Sequence, residues 1–210
     1  MRNIVVSTFV TLDGVMQAPG GPEEDPSGGF THGGWSVNYW DDVIAQAMGE
    51  SMGQPFDLLL GRKTYEIFAA YWPHATDDPA ARDAAVVLNN ATKYVVSTTL
   101  DKAEWQNSIL IRPGERDVPD QIRRLKEQDG PEIQVHGSSQ LIQTLLQHDL
   151  VDRFFLRIYP VLLGSGKRLF ADGTIPAGLR LVDSKTSTTG VIIATYERTG
   201  EIKYGSFAPA

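Results

Sequence analysis

The stretch Asp57-Leu58-Leu59-Leu60-Gly61-Arg62-Lys63-Thr64, running on to Trp72, constrains this chain more than any other. Its apolar run is of the kind given by a strand buried on both faces, an environment typical of parallel sheets. Gly61 breaks the run, and Phe68, Ala69 and Trp72 then fall on one side of a helical pattern. A helix beginning at such a turn directs unpaired amides and the positive end of its dipole toward the turn. Arg62 adds a planar fork suited to phosphate. The segment is either an anion site or a plain strand-to-helix connection with a surface Arg-Lys pair.

At 210 residues, 41% hydrophobic and 21% charged, the chain reads as one globular domain over residues 1–210 with enough length for a core. No apolar run approaches the roughly 20 residues of a membrane helix. The opening MRNIVVSTFV reads as a first strand rather than a signal peptide. The absence of Cys excludes disulfides and thiolate metal sites and fits a reducing cytoplasm. A net charge of -7 argues against nucleic acid and anionic membranes as partners, which leaves a small molecule. Any anionic ligand must be held by local cations and amides.

Around the central stretch, strand and helix patterns alternate. Strands are expected over residues 2–10, 93–96, 109–111, 133–135 and 153–159, and helices over 38–52, 79–89, 118–128 and from 139 onward. Residues 179–186 and 191–197 flank a Thr-Thr-Gly turn and suggest an antiparallel hairpin. This order implies a mostly parallel, doubly wound sheet with an antiparallel finish. Residues 14–34 are dense in Gly and Pro; they form either a mobile lid or a surface insertion, and end in the aromatic group Trp35, Tyr39, Trp40.

Four histidines without ligand spacing and no HExxH give no metal site. GxSxG, GxGxxG and the Walker spacing are also absent, the last despite Gly164-Ser165-Gly166-Lys167. Three turns at the carboxyl ends of parallel-type strands remain: Gly61, Ser97-Thr98 and His136-Gly137-Ser138-Ser139. Open α/β sheets bind ligands at that edge, and three such turns suit a dinucleotide. Hydroxyls at Ser97 and Thr98 either meet a ribose or phosphate or serve ordinary turn chemistry. Asp13 either donates a proton from the sheet edge or caps the turn at Gly14; Asp41 and Asp42 are either donors or acids favoured by a helix dipole.

With these turns placed, the sequence resembles the dihydrofolate reductase-like superfamily. Within it, the chain is most similar to the C-terminal reductase domain of the bifunctional riboflavin-biosynthesis deaminase/reductase and its stand-alone relatives. The resemblance is carried by Thr11-Leu12-Asp13-Gly14, by Leu60 to Glu66, by Lys93 to Ser97, by Val135 to Leu141 and above all by LVDRFFLRIYPVLLGSGKRLF, residues 150–170. It implies a three-layer α/β/α fold and an NADPH-dependent reductase of a small heterocycle or carbonyl compound, of the kind that reduces the ribosylaminopyrimidine of riboflavin biosynthesis. Folate reduction and dinucleotide binding without turnover are the alternatives.

Carried over, Gly61, Arg62, Lys63 and Thr64 would hold NADPH phosphates, with Arg62 at the 2′-phosphate. Ser97 and Thr98 would lie by the adenosine ribose, and His136, Gly137, Ser138 and Ser139 at the pyrophosphate. Residues 14–34 would close over the nicotinamide, with Trp35, Tyr39, Trp40, Gly164 and Lys167 toward the substrate and Asp13, Asp41 or Asp42 as proton donor. Val15 stands where the pyrimidine reductases carry a basic residue, and residues 38–52 contain no Lys or Arg for a substrate phosphate. The family and the apolar Val191, Ile192 and Ile193 imply a homodimer.

Overall fold

The computed structural model describes residues 1–208 apart from Glu115. Among them, eight strands form one sheet in the order β4-β3-β2-β5-β1-β6-β8-β7. The strands are β1 (Ile4–Thr11), β2 (Phe56–Gly61), β3 (Lys93–Val96), β4 (Ser108–Ile111), β5 (Glu132–His136), β6 (Arg153–Tyr159), β7 (Gly178–Thr186) and β8 (Ile192–Gly200). From β4 to β6 every pairing is parallel; β8 runs antiparallel to both β6 and β7. The expected α/β sheet with an antiparallel C-terminal hairpin is what forms.

Five α-helices cover the sheet: α1 (Asp42–Met52), α2 (Arg62–Tyr71), α3 (Arg82–Asn90), α4 (Val118–Glu127) and α5 (Ser139–Gln147). Strand alternation decides which face each residue serves. Leu59 of β2 joins Val6, Val135, Ile122 of α4 and Ile142 of α5 in one core. Phe56, Leu58 and Leu60 turn the other way, onto Tyr65 of α2 and Leu88 of α3. Beyond them Ile44 and Ala47 of α1 pack on Tyr159 and Ile193. The result is three layers, and β2 is buried on both faces as its sequence requires.

Three local expectations are corrected. The helix expected over residues 38–52 begins only at Asp42. Residues Val37–Tyr39 form a separate 3₁₀ turn, and Asp41, in extended conformation, accepts from the Ile44 amide and starts the helix. The helix expected at Pro79 starts at Arg82, because Asp78 first closes a turn through Ala80, Ala81 and Arg82. Val191 and Ile193 are not edge residues, since β8 lies between β6 and β7 and both side chains are buried against α1. At this end of the sheet the edge strand is β7, exposed along nearly all its length.

Residues 14–34 also differ from a loop with little to bury. Val15, Met16, Gln17, Ala18 and Phe30 are all buried. Val15 bridges to Arg168, the Met16 amide donates to the Lys167 carbonyl, and the Gly34 amide donates to that of Ala18. The first part of this segment is thereby fixed to residues 163–169, a contact that no short-range pattern announces.

Candidate functional site

A cleft of roughly 1910 Å³ runs along the carboxyl ends of β3, β2, β5 and β1, bordered by α1, α2 and α3 and closed on one side by residues of the 16–27 segment. Its floor is made where two strand-to-helix turns meet. Gly61 leaves β2 in extended conformation and Arg62, Lys63 and Thr64 form the first turn of α2. At the end of β5, Gly137 (φ +54°) and Ser138 (φ +63°) are both left-handed, and α5 begins at Ser139. Such a backbone is costly for serine, and the hydroxyl offsets it. Ser138 Oγ accepts from the Gly61 amide at 2.8 Å and donates to Thr64 Oγ1 at 2.9 Å. A Cβ at Gly137 would come 3.4 Å from that same Thr64 oxygen. Two helix N-termini are thus locked side by side on one cleft, and helix N-termini offer amides and a positive dipole end suited to an anion of several oxygens.

Of the residues expected to hold cofactor, Gly61, Arg62, Lys63, Thr64, Ser97, Thr98, His136, Gly137, Ser138 and Ser139 all line this cleft. Arg62 is exposed and paired with Glu66, 3.0 Å from each carboxylate oxygen. Ser97 spends its acceptor capacity on the turn, taking the amides of Thr99 and Leu100 at 3.2 and 2.9 Å. His136 is buried between Phe56 and Phe68, and its Nε2 meets Gln134 Oε1 at 2.9 Å. Burial, with the nearby Arg157 charge, depresses its pKa to about 3, so the imidazole is neutral at physiological pH.

The proposed proton donors are not brought to the cleft. Asp13 accepts from Thr11 Oγ1 and from the amides of Leu163 and Gly164, which ties the end of β1 to the 163–169 loop. The Thr11 hydroxyl leads a set of hydrogen bonds that holds its carboxyl below the usual range. Asp41 caps α1 and holds the β7–β8 turn through the Thr188 hydroxyl and amide, which lower its pKa as well. Asp42 is exposed in the first turn of α1.

The expected substrate residues divide. Trp40 and Lys167 line the cleft, whereas Trp35, Tyr39 and Gly164 do not. Trp35 and Tyr39 set their rings edge-on to Tyr159 at 5.2 and 5.8 Å, and Gly164 gives its amide to Asp13. Lys167 pairs with Asp25, whose other oxygen lies 3.4 Å from Lys63. Burial would raise the Asp25 pKa, but the Lys167 and Ser27 hydrogen bonds and the Lys167 charge bring it down to about 2. Glu24, also on the cleft, is the acid among the described residues that burial pushes upward.

Sequence reasoning missed Ser7, Phe9 and Arg157, which line the inner end of the cleft beside His136. A signal for Arg157 was available. In Arg153-Phe154-Phe155-Leu156-Arg157-Ile158-Tyr159 a cation stands between Phe155 and Tyr159 at an inward position of a strand flanked on both sides.

Comparison with known proteins decides the family. Residues 2–193 match the RibD C-terminal domain. This chain belongs to the RibD C-terminal domain family. Within the curated proteins, a RibD C-terminal domain of this kind is similar to the uncharacterized protein YyaP of Bacillus subtilis, 29% identical over 203 residues, covering 95% of this chain and 96% of that protein. Solved structures share its fold at low identity. A putative riboflavin biosynthesis protein from Shewanella sp. PV-4 aligns with a TM-score of 0.63 and 19% identity, over 94% of this chain and 99% of the other. A pyrimidine reductase-like protein from Corynebacterium diphtheriae aligns at 0.62 and 14%, over 95% and 93%. Dihydrofolate reductase from Enterococcus faecalis, complexed with NADP(H) and RAB-propyl, aligns at 0.57 and 14%, over 94% and 96%. The RibD C-terminal domain therefore has the dihydrofolate reductase-like fold here.

Proposed function

We propose that this RibD C-terminal domain is an NADPH-dependent reductase of a small carbonyl or heterocyclic compound. The observation that carries the reading is the pair of helix N-termini joined through Ser138, with Arg62 and Lys63 at their mouth. When bound, NADPH supplies a hydride. The chain's own residues would bind and orient: the amides of α2 and α5 take the pyrophosphate, Arg62 the 2′-phosphate, and Thr98 the adenosine side. The segment around Met16 to Ser27 walls one side of the cleft. Glu24 lines the cleft and is the carboxyl suited to hold a proton, because burial raises its pKa whereas Asp13 and Asp41 are kept ionised elsewhere.

The face that α1 presents to the cleft comprises Ala45, Met48, Gly49 and Met52, all uncharged. A substrate phosphate has no cation there, which favours an unphosphorylated acceptor over the ribosylaminopyrimidine phosphate. The test is nucleotide binding followed by NADPH oxidation with dihydrofolate, the ribosylaminopyrimidine phosphate and a panel of small carbonyl compounds. Tight NADPH binding and turnover with a member of the unphosphorylated class are expected. Binding without turnover across the panel would favour a dinucleotide-binding protein, and absence of binding would remove the reading altogether.

A further inference from the structure

Arg157 is a cation with nowhere to put its charge. It is 2% exposed, yet among the described residues it forms no ion pair in a protein that carries eleven of them elsewhere. A buried guanidinium without a carboxylate is expensive, and partial compensation comes from two sources. Nη1 donates to Ser7 Oγ at 2.9 Å and to the Phe155 carbonyl at 3.1 Å. The rings of Phe9 and Phe155 flank the group, with centroids 4.7 and 4.6 Å from Cζ.

The remaining edge of the fork is unpaired. Nε is buried with no hydrogen-bond partner, and Nη2 makes no hydrogen bond to any described residue. These two donors project in parallel from one side of the guanidinium, and that side is the one a carboxylate grips with both oxygens. No neighbouring group cancels the charge. His136 is neutral, burial raises the Tyr159 phenol, and Arg157 itself, lowered by burial to about 10, stays protonated at physiological pH.

Placement gives the unpaired edge a purpose. In the sheet, β1 and β6 follow β5, so Ser7, Phe9 and Arg157 lie beyond the paired phosphate turns as the cleft continues inward. On the reductase reading, on which this step rests, the acceptor lies at that end. We infer that Arg157 is the specificity-determining residue of the cleft and that the small molecule it selects presents a carboxylate to the Nε–Nη2 edge. A purely structural arginine would have had that edge filled by acceptors of the protein itself, as its Nη1 is by the Ser7 hydroxyl and the Phe155 carbonyl.

Benzoate and benzamide, equal in shape and different in charge, are the probes. Titrated into the full-length protein with and without NADPH, benzoate is expected to bind at least about tenfold more tightly than benzamide, the ratio a charge-assisted contact supports. Arg157→Met should abolish the preference. Arg157→Lys, which keeps the charge but not the fork, should lose most of it. In the wild-type protein the Arg157 Nε–H resonance should move on adding benzoate and stay still on adding benzamide, a reading that needs no variant to fold. Equal affinities, a preference that survives both variants, or an unmoved Nε–H signal would overturn the inference. NADPH turnover without any anion preference would remove Arg157's role and leave the reductase reading standing. A benzoate-dependent Nε–H shift in a protein that binds no NADPH would do the opposite.

Discussion

Arg62 is bound to Glu66 one helical turn away, and both side chains reach solvent. An exposed pair at this spacing is worth only a few tenths of a kcal/mol, so a phosphate backed by helix amides outcompetes the carboxylate for the fork. Arg62→Ala is expected to weaken NADPH by about ten- to a hundredfold, matching about 1.5–3 kcal/mol for a charge-assisted contact, and to leave NADH nearly untouched. Lys63→Ala should do less, since its ammonium offers a point charge and is already shared with Asp25. Glu66→Gln should tighten NADPH at low salt by releasing Arg62. Fluorescence titration with both nucleotides reads all three variants, and equal weakening of NADPH and NADH would reassign Arg62 to the pyrophosphate or to packing.

The segment at residues 14–34 behaves as two pieces rather than one lid. Val15 and Met16 donate their amides to Thr11 Oγ1 and the Lys167 carbonyl, while the outer turn is held largely by side chains, with Asp25 meeting Lys167, Lys63 and Ser27. Hydrogen exchange is therefore expected to be slow at Val15 and Met16 and fast at residues 20–29 in the free protein. Asp25→Asn should accelerate the outer turn alone. Uniform exchange across both pieces would refute the division. The strand–turn–helix units at Gly61 and Gly137 were legible because each is written in about a dozen consecutive residues. Asp13 stayed open between proton donor and turn cap because two of its partners, the Leu163 and Gly164 amides, lie far along the chain and join the Thr11 hydroxyl in holding its carboxyl low. Arg157 was passed over for a similar reason: its meaning depends on Ser7 and Phe9 of another strand.

At the scale of the molecule, the sheet ends on β7, nine residues long, with Leu179, Leu181 and Val182 exposed. Charges at Arg180 and Lys185 and a register shift between Leu181 and Asp183 blunt this edge without covering it. A second copy of the chain laid against β7 is the expected cover. Light scattering should report a dimer at micromolar concentration and a monomer for Leu181→Lys; a monomeric wild type would overturn this.

The sheet order has a further consequence, in the timing of synthesis. β1 is made first yet sits in the middle, pairing Ile4 with Ile133 of β5 and Val5 with Arg153 of β6. Until residues 132–159 have emerged from the ribosome, both edges of the apolar segment Ile4–Thr11 remain unpaired, and no local hairpin can shelter it. Folding must wait on contacts of long sequence separation, which are slow to close and leave sticky strands exposed meanwhile. The yield of folded chain is therefore expected to depend on how long those strands stay exposed during translation, more than the stability of the finished sheet would suggest.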